Sequence, residues 1–580
     1  MTPKAFPWLH RLHEHGVITQ LDYYFALSMA AVFPHDHHLV PVSCALVSRE
    51  LADGKICLDI KKVSGTAIRL TQNPEDTVQL PGFDIWIKAL ESSSMVGKPQ
   101  DSDSLCLPLV LDADGCLYLS KYHDFQHRLV QALSERMRSH PLPLDQKFVQ
   151  AAVDKMFKGQ NSDHVQYQKK AVITALSGNF TVISGGPGTG KTHISKIIRQ
   201  VIQEHAAATG LPMPRFLSVA PTGKAAVRLQ DGATIHSVLI PKKNQPGFVH
   251  GKDNLLAADV VIIDEASMID MALMTRLFEA IPCDARVILL GDENQLSPVQ
   301  AGAVFSDICR TAALKKCVVF LAYNFRSGGK TGIGNLADAI RKNDVAEVTK
   351  ILTKNRYPDL LLEQPEKGYA RTLETHIKEG YAGFMQQQGM TASLAFMDDF
   401  RILCAHKKGE YGTLQINHLC EKILRKVFDS GIRERFLKHL VMITANDYTR
   451  GLFNGDTGVV LDQKGILTAG FTMENGMVKK FRYLDLPSHE PAFGVTIHKS
   501  QGSEFNTVLI VIPDQLSRVV TRQLLYTGIT RARQKAIIVG RLNVIKEAMD
   551  LSLEKTSHLP HLLDRELKKQ RCRPCDGSIT

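Results

Sequence analysis

A glycine-rich segment about a third of the way along the chain, residues 185–192 (GGPGTGKT), restricts the possible folds more than any other feature. A β-branched run at residues 181–183 precedes it and predicts a buried strand, and an amphipathic pattern from Ile194 predicts a helix after it. Glycine permits left-handed backbone conformations, so the N–H groups of such a loop can approach a polyphosphate. In the pattern G-x-x-x-x-G-K-[ST], the Lys191 ammonium reaches the outer phosphates and the Thr192 hydroxyl binds Mg²⁺. The segment therefore predicts a site for a nucleoside triphosphate such as ATP, with Mg²⁺, rather than an ordinary glycine-rich turn.

Length and composition set the frame for this site. At about 150 residues per domain, 580 residues predict three or four domains, and a content of 44% hydrophobic and 22% charged residues is typical of globular proteins. A net charge of +11 favours an anionic partner. The 11 cysteines follow no regular spacing, which favours reduced thiols, and no early apolar run approaches the roughly 20 residues of a membrane span. We therefore expect a cytoplasmic protein with no signal peptide and no membrane contact.

Two carboxylates follow another apolar run. Residues 260–263 are apolar on both faces of an extended chain, which is typical of a buried parallel strand, and Asp264 and Glu265 come directly after them. In a chain that already has a phosphate loop, we expect Asp264 to hold Mg²⁺ together with Thr192, and Glu265 to orient and activate the attacking water. Upstream, Gln168 can present its amide to the adenine edge, although a surface glutamine gives the same signal. The residues assigned to the nucleotide are Gln168, Gly185, Gly186, Pro187, Gly188, Thr189, Gly190, Lys191 and Thr192.

Three further polar residues are candidates for sensing the γ-phosphate. Gln295 follows an apolar run at residues 287–290, and its neutral amide can contact the γ-phosphate and transmit its loss by a small shift. Arg326 and Arg531 can stabilise transition-state charge from a neighbouring domain, an effect worth about 10³- to 10⁵-fold in rate. A structural arginine in a salt bridge remains the alternative for Arg531.

Other residues suit the backbone of a nucleic acid. A strand predicted at residues 216–220 ends in a turn of small residues, which lets another molecule approach closely. Lys224 and the Thr222 hydroxyl in that turn suit a phosphate group, and similar polar turns recur further along the chain. The residues assigned to DNA are Pro221, Thr222, Lys224, His236, Asn454, Thr496 and His498.

Two parts of the chain carry no recognisable chemistry. Residues 1–145 alternate helical patterns with short strands, and residues 141–145 make a plausible domain boundary. Near the C-terminus, Cys572 and Cys575 form a lone C-x-x-C motif in a polar tail. Without a second pair, the motif leaves open whether these cysteines bind zinc or nothing.

The ordered set of motifs resembles that of superfamily 1 helicases and, more narrowly, that of the RecD family, the α subunits of exodeoxyribonuclease V. The resemblance is dense from about residue 166 to residue 533 and extends weakly to residues 107–111 and 117–122. The motifs that carry it are SGGPGTGKT, APTGKAA, VVIIDEASM, GDENQLSPV, NFRS, FNGDTG, VTIHKSQGSEF and LLYTGITRAR.

The resemblance implies an α/β architecture with two RecA-like P-loop domains that hold ATP between them. We assign residues 146–320 to the first domain, with a short β-ribbon near 237–256, and residues 321–580 to the second. A small inserted SH3-like β module is expected near 455–490, and residues 1–145 are expected to form an α+β adaptor domain that contacts a partner.

The resemblance also implies an ATP-dependent DNA helicase that moves 5′-to-3′ on single-stranded DNA. Its expected partners are RecB-type and RecC-type subunits in a heterotrimer that acts on double-strand DNA ends in recombinational repair. The chain has no nuclease carboxylate motif, which agrees with a nuclease on the RecB-type subunit. Three alternatives remain: a stand-alone RecD-like helicase of repair or conjugation, a nucleotide-dependent DNA clamp without unwinding, and a structural subunit that has lost catalysis.

Overall fold

The chain is organised around two separate parallel sheets, with a mixed sheet before them and an antiparallel module between strands of the second. Among the described residues, no helix combines the length and the apolar composition that a membrane crossing requires. The computed structural model describes residues 6–34, 36–71, 73, 75–99, 107–139, 141, 143–159, 163–243, 245–321, 331–354, 356–365, 369–428, 438–447, 449–473, 476–551 and 557–571.

The N-terminal unit is a mixed α and β structure. A capping box at Thr19 and Asp22 starts its second helix, and the buried Trp86 donates its indole N–H to Ser43 Oγ at 2.8 Å. Its main sheet has the order β1-β6-β5-β4, and β2 pairs with β3. The elements are α1 (Pro7–Glu14), α2 (Gln20–Val32), α3 (Leu39–Ala52), β1 (Cys57–Asp59), α4 (Ile60–Val63), β2 (Ala67–Arg69), β3 (Thr77–Gln79), α5 (Phe83–Glu91), β4 (Val96–Gly97), β5 (Leu109–Leu111), β6 (Cys116–Leu119) and α6 (Ser120–Arg138).

The first ATPase unit is a six-stranded parallel sheet of order β12-β7-β11-β10-β8-β9 with helices around it. Its central strands are fully buried, which explains their continuous apolar runs. The elements are α7 (Gln146–Met156), α8 (Asp163–Ser177), β7 (Phe180–Gly185), α9 (Lys191–Thr209), β8 (Phe216–Ala220), α10 (Gly223–Val227), β9 (Gly232–Thr234), α11 (Ile235–Leu239), β10 (Val260–Ile263), α12 (Met271–Ala280), β11 (Arg286–Gly291), α13 (Val304–Arg310) and β12 (Val318–Leu321).

The second ATPase unit is a five-stranded parallel sheet of order β13-β22-β21-β14-β20, and the antiparallel module of order β18-β17-β16-β15-β19 interrupts it. The elements are α14 (Gly332–Arg341), α15 (Val345–Thr353), β13 (Leu360–Glu363), α16 (Tyr369–Gln386), α17 (Met390–Phe396), β14 (Phe400–Cys404), α18 (Thr413–Phe428), β15 (His439–Ile443), β16 (Thr457–Gln463), β17 (Ile466–Thr472), β18 (Val478–Arg482), β19 (His489–Pro491), β20 (Gly494–Thr496), β21 (Phe505–Val511), α19 (Arg522–Ile529), β22 (Ala532–Val539), α20 (Leu542–Asp550) and α21 (Leu559–Arg571).

These sheets confirm the predicted α/β class with two RecA-like units, a small β insertion and an N-terminal α+β unit. The domain limits themselves remain predictions. Three elements lie or pack differently from what the sequence predicts. The β module begins at His439 rather than near residue 455. The segment near 237–256 forms two isolated antiparallel bridges rather than a strand-length ribbon; Pro241 and Pro246, which lack an N–H donor, account for its shortness. The last helix, α21, packs on α6 of the N-terminal unit and on α13 of the first ATPase unit instead of on the second.

Candidate nucleotide site and nucleic-acid interface

The glycine-rich loop runs from the end of β7 to the start of α9 and has the geometry of a phosphate cradle. Gly188 and Gly190 have φ angles of 78° and 93°, which favour glycine. Any side chain at Gly190 would also collide with Gln168, because a Cβ there would lie 2.3 Å from its Nε2. The Lys191 ammonium donates to the carbonyl oxygens of Gly185 and, at 3.1 Å, Gly186. This ammonium is therefore held at the loop, where a phosphate can exchange for the carbonyls.

Gln168 supports the loop directly. Its buried side chain donates from Nε2 to the carbonyl oxygen of Thr189 at 3.0 Å, and the Thr189 hydroxyl donates to the Gly186 carbonyl at 2.9 Å. The sequence predicts a contact of this amide with adenine, and that contact remains a prediction. What the structure adds is a second task for Gln168, bracing the turn that would hold the phosphates.

Asp264 and Glu265 lie at the end of β10. Asp264 is buried, its N–H continues the ladder to the Val219 carbonyl at 2.9 Å, and its Oδ1 accepts the Glu265 N–H at 2.8 Å. Glu265 has a φ of 49°, an uncommon conformation that is often found at functional sites. Burial, followed by the charge of Glu265, raises the pKa of Asp264 to about 6, while nearby Lys191 opposes the rise.

The donor set fits a nucleotide-bound Mg²⁺. Thr192 lies half-buried in the first turn of α9, and the buried Asp264 carboxylate lies close enough to Lys191 for their charges to interact. Hydroxyl and carboxylate oxygens are the hard ligands that Mg²⁺ prefers. A buried carboxylate whose pKa is raised by a neighbouring carboxylate is also stabilised when a cation binds.

Gln295 belongs to a buried network that joins the two ATPase units. Its Nε2 donates to Asp292 Oδ2 at 3.2 Å, and Tyr526 Oη from α19 donates to the same oxygen at 3.0 Å. The Gln295 Oε1 is buried and has no hydrogen-bond partner among the residues that the structure describes. Contact with the γ-phosphate remains a prediction for Gln295, but its unpaired oxygen and its place between the units suit a residue that changes partners.

Further contacts bring the second unit against the loop. The Thr527 hydroxyl accepts the Leu296 N–H at 2.9 Å, and Gln501 Nε2 donates to the Leu296 carbonyl at 2.8 Å. Gly186 meets Tyr526, since a Cβ at Gly186 would lie 2.8 Å from the tyrosine oxygen. Sequence pattern alone does not single out Thr527, Gln501 or Tyr526, although all three lie inside the helicase-like motifs. The available signal was a hydroxyl residue within the LLYTGITRAR motif.

Of the two candidate arginines, the structure describes only Arg531. Arg531 is 2% exposed, and its Nε and one terminal nitrogen donate to the Thr527 and Ser503 carbonyls, both at 3.2 Å. Its other terminal nitrogen is buried, and no described residue forms a hydrogen bond with it. The bonds give Arg531 a structural task, and its role toward the γ-phosphate remains a prediction. Arg326 lies outside the described residues.

Lys224 lies where the first unit meets the β module. Its Nζ donates to Thr457 Oγ1 at 2.8 Å, and the Thr222 hydroxyl caps α10 by accepting the Ala225 N–H at 3.4 Å. Gly502 from the second unit approaches the same turn, since a Cβ there would lie 3.2 Å from Thr222 Oγ1. A cavity of about 700 Å³ opens here, lined by Lys224, Arg228, Phe453, Met473, Ser503 and Glu504 among others.

The remaining DNA candidates have separate environments, and their roles remain predictions. His236 is half-buried, its ring packs edge-on against Phe248 at 5.7 Å between centroids, and burial lowers its pKa. Asn454 is exposed next to the cavity-lining Phe453, and Thr496 Oγ1 accepts the Lys499 N–H at 3.3 Å. The two others, Pro221 and His498, are half-buried.

Three family models match parts of the chain. Residues 14–118 match the RecBCD enzyme subunit RecD, N-terminal domain. Residues 164–357 match the AAA domain, and residues 491–539 match the UvrD-like helicase C-terminal domain. These matches cover the N-terminal unit, the phosphate-loop sheet and the later strands of the second sheet.

Whole-length relatives agree with the family models. The RecBCD enzyme subunit RecD of Mycobacterium tuberculosis is 30% identical over 580 residues, which covers 94% of this chain and 95% of that protein. The corresponding subunit of Mycolicibacterium smegmatis is 29% identical over 562 residues, covering 92% and 95%. The ATP-dependent RecD2 DNA helicase of Deinococcus radiodurans is 28% identical over 465 residues, covering 78% of this chain and 59% of that protein.

Proposed function

This chain belongs to the RecD family of RecBCD enzyme subunits, and from that premise we propose that it is the ATP-dependent 5′-to-3′ DNA helicase of an exodeoxyribonuclease V complex. It would assemble with RecB-type and RecC-type subunits in a heterotrimer, bind single-stranded DNA and duplex ends, and serve recombinational repair in the cytoplasm. The match of residues 14–118 to the RecD N-terminal domain supports the assembly, because that region carries no catalytic motif of its own.

The observation that carries the proposal is the hydrogen-bond network beside the phosphate loop. Tyr526 and Gln295 both donate to Asp292, and Gly186 of the loop packs against the Tyr526 hydroxyl. A nucleotide bound at the loop therefore lies at the seam between two parallel sheets. Its binding and loss can change how the two units meet, which is the motion that a translocase needs.

For hydrolysis, the residues of the first unit provide binding and water activation. Lys191 exchanges its loop carbonyls for the outer phosphates, and Glu265 orients the attacking water and accepts its proton. Mg²⁺, when held by Thr192 and Asp264, would neutralise charge on the phosphate oxygens. Gln295, Arg531 and Arg326 would sense the γ-phosphate across the seam.

For movement, closure on ATP and opening after hydrolysis would alternate two DNA-gripping surfaces. Lys224 of the first unit and Ser503 and Glu504 of the second line one cavity, so opening of the seam separates groups that now share it. Stacking and phosphate contacts along such a groove hold single strands with little sequence preference. The remaining DNA candidates are His236, Asn454, Thr496, His498 and Pro221.

The test is ATP hydrolysis with and without single-stranded DNA, followed by unwinding of 5′-tailed and 3′-tailed duplexes. Hydrolysis stimulated by DNA, with unwinding only from the 5′ tail, is the expected result.

Lys191→Ala should lower kcat by at least about 100-fold because it removes a phosphate-binding cation, and Lys196→Ala, on the exposed face of the same helix, should leave kcat unchanged. Full activity of the Lys191 variant would overturn the site assignment.

A stand-alone RecD-like helicase is the second candidate, and the similarity to the Deinococcus radiodurans RecD2 helicase favours it. Co-expression with RecB-type and RecC-type chains separates the two, since a heterotrimer subunit should co-purify with both. DNA-stimulated hydrolysis without strand displacement, even in the trimer, would instead indicate a DNA clamp. The complete motif set makes a catalytically inactive subunit the weakest of the alternatives.

A further inference from the structure

A cluster of metal-ligating side chains lies where the C-terminal helix α21 meets the N-terminal unit, away from the nucleotide seam. Asp112 and Cys116 come from the turn between β5 and β6 and from β6, and His558 comes from the residue before α21. Donor atoms of these three side chains all lie within 4.8 Å of one another. Neither ATP hydrolysis nor DNA binding, as proposed above, uses any of them.

We propose that Cys116, His558 and Asp112 form a Zn²⁺ site that fastens α21 to the N-terminal unit. Thiolate, imidazole and carboxylate are the ligands that tetrahedral zinc sites use, and they are typical of zinc rather than of the oxygen-only sites of Mg²⁺. Water completes the tetrahedron, because Cys57 on β1, beside the Cys116 thiol, is not among the described donors that lie within 4.8 Å of one another. Both cysteines are buried, at 8% and 3% exposure.

The surroundings of His558 match the outer shell of a zinc ligand. Its Nε2 pairs with Asp114 Oδ2 at 3.1 Å, and its ring also forms a hydrogen bond with the Cys116 thiol, the group with which it would share the ion. Metal-bound histidines usually donate their other ring N–H to a carboxylate, which fixes the orientation of the ring. Asp114 is held in turn by Arg565 at 3.3 Å and faces His561 Nδ1 at 3.6 Å.

The Asp112 carboxylate is also fixed in position. Its Oδ1 accepts the N–H groups of Asp114 and Cys116 at 3.0 and 2.8 Å, and its Oδ2 accepts the Tyr118 hydroxyl at 3.1 Å. Oδ2 thus keeps a lone pair for an ion. One thiolate and one carboxylate balance the charge of Zn²⁺, and the neutral imidazole adds none.

The position of the cluster gives the ion a structural role. Leu559, Leu563 and Leu567 of α21 are buried in the core that α6 forms with the first ATPase unit, while His558, just before them, reaches the turn before β6. An ion at this point would link the start of the last helix to β6 and to the turn before it. Without an ion, the same residues would form only an ion-paired contact around Asp114, and that is the competing explanation.

The first experiment measures zinc per chain by mass spectrometry of the untagged full-length protein after a mild chelator wash. About one zinc per chain is expected. Cys116→Ser and His558→Ala should each lower zinc content at least tenfold, whereas Cys283→Ser, at an exposed thiol, should retain it. The Cys572→Ser/Cys575→Ser double variant should also retain zinc. Loss of zinc from that double variant, or unchanged zinc in the Cys116 variant, would overturn the proposal.

A second measurement does not depend on how well the variants fold. Zinc is removed from the wild-type protein and Co²⁺ is added, and a thiolate-to-cobalt charge-transfer band is expected in the absorption spectrum. Asp114→Asn should keep this band but weaken metal binding about 10- to 100-fold, because Asp114 acts through His558. A wild-type protein with no zinc and no thiolate-to-cobalt band has the ion-paired contact alone.

Discussion

The Tyr526 hydroxyl connects the two ATPase units at the scale of a single group. It donates to Asp292, which also accepts Gln295, and it contacts Gly186 of the phosphate loop. Tyr526→Phe keeps the ring and removes this bond. We expect DNA-stimulated kcat to fall about tenfold, because loss of a hydrogen bond to a buried carboxylate costs roughly 1.5–3 kcal/mol and weakens the closed seam.

The measurement that separates coupling from stability is the ratio of DNA-stimulated to basal ATP hydrolysis, taken together with the thermal midpoint. A lower ratio with a midpoint within a few degrees of wild type supports the coupling role. Tyr483→Phe is the control, since Tyr483 lies in the β module away from the nucleotide. An unchanged ratio in Tyr526→Phe would show that the hydroxyl does not transmit the nucleotide state.

The raised pKa of Asp264 predicts that ATP hydrolysis slows at low pH, which gives the acid limb of the pH–rate profile. Burial and the charge of Glu265 raise its pKa to about 6, so it binds a proton as the pH falls through 6. The protonated form is a poor Mg²⁺ ligand, so kcat/KM, which reports the free enzyme, should be high above pH 7 and fall below pH 6. Glu265→Gln should move the limb of its residual activity to lower pH, because it removes the neighbouring charge. A limb that stays near pH 6 in that variant would contradict this assignment.

The raised pKa of Asp264 affects folding stability in the opposite direction: activity rises with pH, and stability falls. A carboxyl group whose pKa is higher in the folded than in the unfolded state binds more protons when folded, so stability falls as the pH rises from about 4 to 6. Asp264→Asn should remove this slope and stabilise the nucleotide-free protein at pH 7 by about 3 kcal/mol, because the pKa rises from 3.8 to about 6 and each unit is worth about 1.4 kcal/mol. Chemical denaturation at pH 5 and pH 7 measures the difference.

At the scale of elements, sequence pattern predicted strands better than contacts. The apolar run at residues 260–263 predicts a fully buried parallel strand, and β10 is buried at every position between two parallel neighbours. The loop and its helix were equally predictable, because Gly188 and Gly190 are required locally by their backbone conformations. Patterns of this kind depend on residues that are close in the chain.

The contacts across the seam were not predictable in this way. Asp292 and Tyr526 are 234 residues apart in the chain, and nothing near either residue specifies the other. The buried bonds of Arg531 to carbonyl groups likewise depend on how α19 packs beside β21. Local sequence patterns identify the motifs that contain these residues. They do not specify which side chains of two motifs contact each other.

Lys224 gives a prediction at the junction of α10 with the β module. Burial lowers its pKa to about 8, so it is an ammonium at pH 7 and largely a neutral amine at pH 9. Affinity for single-stranded DNA should therefore fall about three- to tenfold between these pH values, because a neutral amine releases no counterion from a phosphate. Fluorescence anisotropy with a labelled oligonucleotide measures this loss.

Two variants of Lys224 make this prediction specific. Lys224→Arg keeps its charge at both pH values, so its affinity should not fall at pH 9. Lys224→Ala should bind more weakly at pH 7, with a salt dependence that is shallower by about 0.7 in log–log slope. An equal fall with pH in all three proteins would mean that other groups cause it.

At the scale of the whole molecule, the core of the first ATPase unit extends into the N-terminal unit, which also has a second core of its own. Phe125 and Leu129 of α6 pack with Phe278 of α12, and the fully buried Arg136 donates to the Ile281 and Ala285 carbonyls. The sequence predicts an adaptor domain at residues 1–145, and the shared core adds a structural duty to that prediction. A partner that binds this unit would therefore bind against the ATPase itself.

The last helix completes this core. Leu563 of α21 has no exposed surface and belongs to the core that includes Phe125 and Phe278. Leu563→Ala should destabilise the protein by about 2–5 kcal/mol, because it removes buried methyl groups and leaves a cavity. Leu484→Ala, at a site that is 92% exposed, should change stability by less than about 0.5 kcal/mol.

If α21 closes the core of the first unit, the Leu563 variant should unfold that unit earlier and lose ATP binding on heating before the β module melts. Equal stability of the two variants would mean that the chain folds without its last helix.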